Sequence, residues 1–210
     1  MGLFGRRSKL PSAVRPPLAA GERVLAWAAT GNGSSNGAPP ADRVSAVDEA
    51  SPAEGTSAGA GASVGAGGGV LVATNLGLWL PGRGQRLGWH DILKAVWSGR
   101  ELTVTPAATA AERDGYLVVA DGPAETYLLL DPGDLPHQVR ARVTRSVAYT
   151  QQHPVPGGSG RIAARRVAGA DGLTWTVRYD PGTPVDADEV RAETDQLVAA
   201  ARAATAPADL

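Results

Sequence analysis

Between Gly69 and Pro106 short apolar runs alternate with turn residues, and that pattern predicts a meander of strands. Val70-Leu71-Val72-Ala73-Thr74 is largely β-branched, the corner Asn75 to Gly77 follows, and Leu78-Trp79-Leu80 returns, so the two runs predict a tight hairpin. Pro81-Gly82-Arg83-Gly84 makes the next corner. Arg86 to Trp89 predicts another extended run, and Ile92 to Trp97 its continuation past a kink at His90-Asp91. Leu102 to Val104 is then the strand returning through Ser98-Gly99. Upstream, Glu22 to Ala28 sets Val24 and Ala26 against Leu25 and Trp27 and predicts a first strand. Downstream, residues 106–113 read as a polar connection. Tyr116 to Ala120 and Glu125 to Leu130 then predict a hairpin around Asp121-Gly122-Pro123.

The period changes after Leu130. Asp131-Pro132-Gly133-Asp134 supplies helix-start chemistry. Leu135, Val139, Val143 and Val147 fall on one stripe, with Arg140, Arg142 and Arg145 off it, which predicts a helix over 134–152 docked by its apolar side. His153-Pro154-Val155-Pro156-Gly157-Gly158 predicts a linker over 153–160. Over 161–205 a second unit follows: Arg161 to Ala168, a turn at Ala170-Asp171-Gly172, Leu173 to Tyr179, and a helix over about 186–204. Val190, Thr194, Leu197, Val198 and Ala201 line one face of that helix. A hairpin and one helix are too small to be stable alone, so the unit is expected to pack on the preceding domain.

Two segments lack such patterns. Residues 30–69 are dominated by Gly, Ala, Ser and Pro and cannot bury enough surface to offset the entropy of ordering, so a disordered loop is expected. Its closure cost grows only logarithmically with length, which makes the insertion tolerable. The Gly-rich end at 65–69 lacks the Gly-Lys-Ser/Thr ending and the following helix of a phosphate loop. Residues 1–20 form a flexible basic arm with Arg6, Arg7 and Lys9, expected to be a solvated tail or a weak hook for anionic lipid.

Taken in order, seven strands from Glu22 to Leu130 and the helix after Asp134 resemble the pleckstrin-homology-like domains, and the central stretch is similar to their bacterial, GRAM-type members. The likeness rests on the apolar strand ending in Thr74-Asn75, the Leu78-Trp79-Leu80 strand, and Arg86-Leu87-Gly88-Trp89 leading into Ile92 and Val96-Trp97, and it covers residues 21–152. The resemblance implies a small antiparallel barrel of about seven strands stoppered by a helix; with the hairpin and helix read in the tail, which lie outside the likeness, an α+β, mainly β fold is expected. The resemblance also implies a non-enzymatic binding or adaptor module. Lipid-binding members gather cations near the loop joining the first two strands, whereas here that loop holds only Arg43 against Asp42, Asp48, Glu49 and Glu54. Such a loop repels a phosphorylated head group. A protein partner is therefore expected.

Composition narrows the picture further. The net charge of -1 over 210 residues gives no global signal for nucleic acid, and cysteine is absent, which excludes disulfides and thiolate metal sites. The longest apolar runs fall short of the roughly 18 to 20 residues that cross a bilayer, and no apolar stretch of signal-peptide length follows the basic N-terminus. A cytoplasmic location is expected. Arginine replaces lysine almost everywhere except Lys9 and Lys94, amid abundant alanine and glycine, as GC-rich genomes of actinobacterial type produce.

No catalytic, metal-binding or cofactor-binding set is expected. His90, His137 and His153 stand apart, without the short spacings of a metal site. His90 and Asp91, as neighbours in a strand, are expected to face opposite ways. Gly157-Gly158-Ser159-Gly160 departs from a nucleophile elbow because Arg161 takes the place of the last glycine. Trp79, Trp89 and Trp97 are expected in the core, where each ring stabilises by about 2 to 3 kcal/mol. The candidate partner-binding residues are Arg6, Arg7 and Lys9 in the arm and Arg140, Arg142 and Arg145 on the helix, with Arg161, Arg165 and Arg166 nearby in sequence. The readings set beside protein binding are peripheral membrane association through the arm and an enzyme of unrecognised type.

Overall fold

Among the described residues, strand pairing places the elements in two sheets. A computed structural model describes residues 9–31 and 68–205, so Arg6, Arg7 and all but the ends of the expected loop at 30–69 lie outside the described residues. The strands β1 (Val24–Ala29), β2 (Val70–Thr74), β3 (Gly77–Trp79) and β4 (Leu87–Gly88) pair in that order, all antiparallel. Ala73 lies opposite both Ala26 and Leu78, and this face carries Leu71, Ala73 and Leu78 into a core. Val72 lies opposite both Trp27 and Trp79 on the other face.

A single 3-10 turn at Trp89–Asp91 leads into β5 (Ile92–Trp97), and Gly99, at φ 93°, turns the chain into β6 (Glu101–Arg113). The expected polar connection at 106–113 is instead the second half of that long strand. Its alanines have little strand preference of their own and are held there by β7 (Tyr116–Asp121). β7 and β8 (Glu125–Leu128) are not each other's hairpin, as the turn residues suggested. They follow one another along β6, β8 from Glu101 to Val104 and β7 from Ala107 to Arg113. The step between them is pinned by the Gly122 N–H donating to the Pro106 carbonyl at 2.8 Å. The end of β8 closes on β1 through the Leu130 N–H to the Ala29 carbonyl (3.0 Å) and the Gly31 N–H to the Leu128 carbonyl (2.9 Å).

The helix α1 (Leu135–Ser146) carries three of the four residues of its expected stripe: Leu135 and Val139 are fully buried and Val143 packs beside them. The helix ends at Ser146, not near 152. The Ser146 hydroxyl donates to the Val143 carbonyl at 2.7 Å, and Val147 opens β9 (Val147–Val155). The expected linker at 153–160 is the turn and flanks of a hairpin between β9 and β10 (Gly158–Arg166), because non-local pairing of Thr150 with Ala163 and of Pro154 with Ser159 outweighs the local Pro-Gly signal. β11 (Leu173–Tyr179) pairs with β10 and, in parallel, with β7 through Thr176 to Leu117 and Val177 to Val118. This is the one parallel pair among the described residues, and a two-pronged Arg178 to Asp121 ion pair (2.8 Å) supports it.

Among the described residues the fold is α+β and mainly β, with two α-helices. The larger sheet runs β5-β6-β7-β11-β10-β9, so the tail continues the sheet in place of an attached hairpin. One core gathers Leu71, Leu78, Trp89, Ile92, Leu102 and Leu135 among others. The second sets Tyr116, Val118, Ile162, Trp175 and Val177 against Val198 and Ala201 of α2 (Asp188–Thr205).

Candidate binding groove

β5 carries β6 on one edge only, and among the described residues no strand lies on the other. Beside that free edge runs a groove of about 600 Å³ between β5 and the start of α1. Ala95 and Trp97 point to one face of the strand and Val96 to the other, yet all three line the groove, so it follows the strand edge. Leu102 and Val139, both buried, make its floor, and Pro132 and Pro136 its opposite lip. Val96 is 43% and Trp97 36% exposed, which leaves an apolar surface beside unpaired backbone.

Trp97 thus departs from the expectation of core packing that Trp79 and Trp89 fulfil. Its partner Leu102 is sealed inside, but Trp97 is the last residue of β5, and the α1 start leaves its ring partly exposed. The groove's charged liner is Arg140, joined by His137, and no carboxylate lines it.

Of the residues expected to bind a partner, Arg140 alone lines this groove. Arg142 is half-buried, Arg145 and Lys9 are exposed elsewhere, and the Arg145 carbonyl accepts from Arg166 at 3.3 Å. Arg165 is no part of a solvated face. Only 8% exposed, its Nη1 donates to the Ile92 carbonyl (2.9 Å) and the Ser146 hydroxyl (3.3 Å), tying β10 to β5 and α1. Burial lowers its pKa from the usual arginine value, with Asp91 acting against the shift.

His90 and Asp91 lie on one side, not on opposite faces, because they sit in the 3-10 turn; His90 Nε2 is 3.4 Å from Asp91 Oδ1. Ser159 bonds the Asp180 carboxylate from within β10, which is not the exposed turn of a nucleophile elbow. His153 is fully buried under α2. Among the described residues no group of His, Asp or Glu is placed to hold a metal ion, and no helix is long and apolar enough to cross a membrane.

The most heavily engaged carboxylate is Glu22. Its Oε1 accepts from Thr74 (2.7 Å) and the Trp79 indole (3.0 Å), and its Oε2 from the Ala19 N–H (3.0 Å) and Arg86 (2.8 Å). Burial works to raise its pKa, but those donors together hold it below the ordinary carboxylate value. With both oxygens occupied it fixes the Thr74 to Gly77 corner and is not placed for proton transfer. Gly77 is required there, since a Cβ would stand 2.3 Å from the Leu87 carbonyl.

Neither a family model nor a curated protein nor a solved structure matches this chain.

Proposed function

We propose that the chain is a non-enzymatic, pleckstrin-homology-like binding module that takes an extended segment of a partner protein along the free edge of β5. The observation that carries this reading is the coincidence of that unpaired edge with an apolar groove whose charged liner is cationic. An added strand gains main-chain hydrogen bonds from the edge, while alternate side chains reach the groove. Val96, Trp97 and the two prolines suit apolar side chains, and Arg140 suits a carboxylate. The partner segment is therefore extended, apolar and acid-bearing. The order of elements also supports the family reading: a four-stranded sheet, strands crossing to a second sheet, then α1 packed at the end of the shared core.

The test is isotope-edited NMR of the full chain titrated with blocked six-residue peptides in which Val or Leu alternates with Glu. Shifts concentrated at 94–97 and 136–140 support the reading. Binding with shifts on another surface, or no binding by any acidic apolar peptide while basic ones bind, would overturn it.

A further inference from the structure

We propose that His153 is an acid-sensitive catch for α2: protonation of its ring loosens the helix from the sheet and uncovers the apolar face carrying Ile162, Trp175 and Val177.

Three strands clasp α2 at two consecutive residues. The Tyr116 hydroxyl of β7 donates to Asp195 Oδ1 (2.7 Å), the Tyr179 hydroxyl of β11 lies 2.6 Å from Thr194 Oγ1, and His153 Nε2 of β9 lies 2.8 Å from the same oxygen. The Thr194 hydroxyl gives its own proton to the Val190 carbonyl at 2.6 Å. Its oxygen is then left to accept from both rings, which fixes His153 as the neutral tautomer with hydrogen on Nε2. The bare Nδ1 is buried and has no hydrogen-bond partner. A proton taken from water must go to that nitrogen, creating a cation with an unmatched donor in a site closed to solvent.

The surroundings do little to welcome the charge. From α2, Glu193 favours it; from β11, Tyr179 presents its ring at 6.1 Å; from β10, the directly paired Gly160 has no side chain. Gln151 and Val155 flank it on β9, and Arg113, which holds Tyr116 and the Val185 carbonyl, adds a cation to the same clasp. Burial outweighs Glu193 and lowers the ring's pKa below its ordinary 6.5. A base whose folded pKa is lowered stabilises fully above its unfolded value. The contribution falls as pH drops through about 6.5 and is lost below the folded value, by about tenfold in the equilibrium per pH unit between the two.

Hydrogen exchange of the full chain from pH 8 to 5, corrected for the intrinsic rate, tests the catch. Amides of α2 are expected to lose protection progressively as pH falls from 7 to 5 while those of α1 hold. His153→Gln keeps an N–H donor near the Nε2 position and cannot protonate, so its α2 protection is expected to be flat with pH. Glu193→Gln is expected to deepen the loss. Ring nitrogen shifts of His153 in the unaltered protein, which need no variant to fold, should show hydrogen on Nε2 and titration below 6.5. Equal pH dependence in His153→Gln, simultaneous loss in α1 and α2, or a ring that titrates at 6.5 or above overturns the proposal.

Discussion

The indole N–H of Trp79 donates to Glu22 Oε1 at 3.0 Å, joining residues 57 positions apart through a side-chain carboxylate with no exposure to water. Glu22→Gln places an amide where four donors converge, so one N–H group must face another donor. A loss of about 2 to 3 kcal/mol is expected at pH 7, measured by urea unfolding. Because the carboxylate is held below its ordinary value, its stabilisation is complete above about pH 4.5 and is lost as pH falls through the lower folded value. The gap between the two proteins should therefore be narrower at pH 3 than at pH 7. A gap that widens in acid would contradict this assignment.

Trp97 is the tryptophan that reaches the groove, whereas Trp79, Trp89 and Trp175 are buried. Acrylamide should quench a red-shifted component of the emission, and Trp97→Phe should remove most of that component. Unchanged quenching in the variant would place the accessible ring elsewhere.

Arg140→Glu reverses the charge of the groove without touching its apolar floor. Binding of acidic apolar peptides should weaken by about tenfold or more, with the melting temperature within a few degrees of the unaltered protein. Val96→Asp should weaken it in the same direction. Calorimetric titration reads both, and undiminished affinity in either variant counts against the groove.

Arg165 is a buried cation whose Nε has no hydrogen-bond partner. Arg165→Ala leaves the Ile92 carbonyl and a cavity behind and should cost about 2 to 4 kcal/mol. Arg165→Met fills the space and removes the charge, so it should cost less. Urea midpoints of the two variants decide the order; a costlier Met would mean that the guanidinium repays its own desolvation.

Gly115 turns β6 into β7 at φ 80°, and a Cβ there would stand 1.8 Å from Arg202 Nη1. The arginine tip can swing away, but the backbone cannot. Gly115→Ala should cost about 1 to 2 kcal/mol, and adding Arg202→Ala should recover little of it. Full recovery in the double variant would assign the cost to the side-chain clash.

How much of this was legible follows from which forces are local. The hairpin of β2 and β3 and the run of β5 are written in β-branched residues and turns a few positions apart, and α2 in its 3.6-residue period. The second half of β6 is hidden because its alanines take their conformation from Val118 and Val119 across the ladder. β9 is hidden because Val147 happens to continue the helical stripe, and because Pro154 imitates a linker. Proline is tolerated there since β9 has a neighbour on one side only. Arg140 could be picked out as a cation, but the groove beside it could not, being the space left by a missing strand neighbour. His153 gave no signal, since its partners Tyr179 and Thr194 are brought to it only by folding.

The thirteen residues of β6 link two interiors: Leu102 and Val104 lie in the first, and the stretch from Ala107 to Arg113 pairs with β7, whose Tyr116 and Val118 belong to the second. A fragment ending at Ser146 would keep the first interior but strip β11 and α2 from β7, leaving Tyr116 and Val118 bare and an unguarded ladder ready to recruit other chains. Limited proteolysis should accordingly spare the stretch from β6 through α2, and recombinant halves split after Ser146 should precipitate more readily than the intact polypeptide.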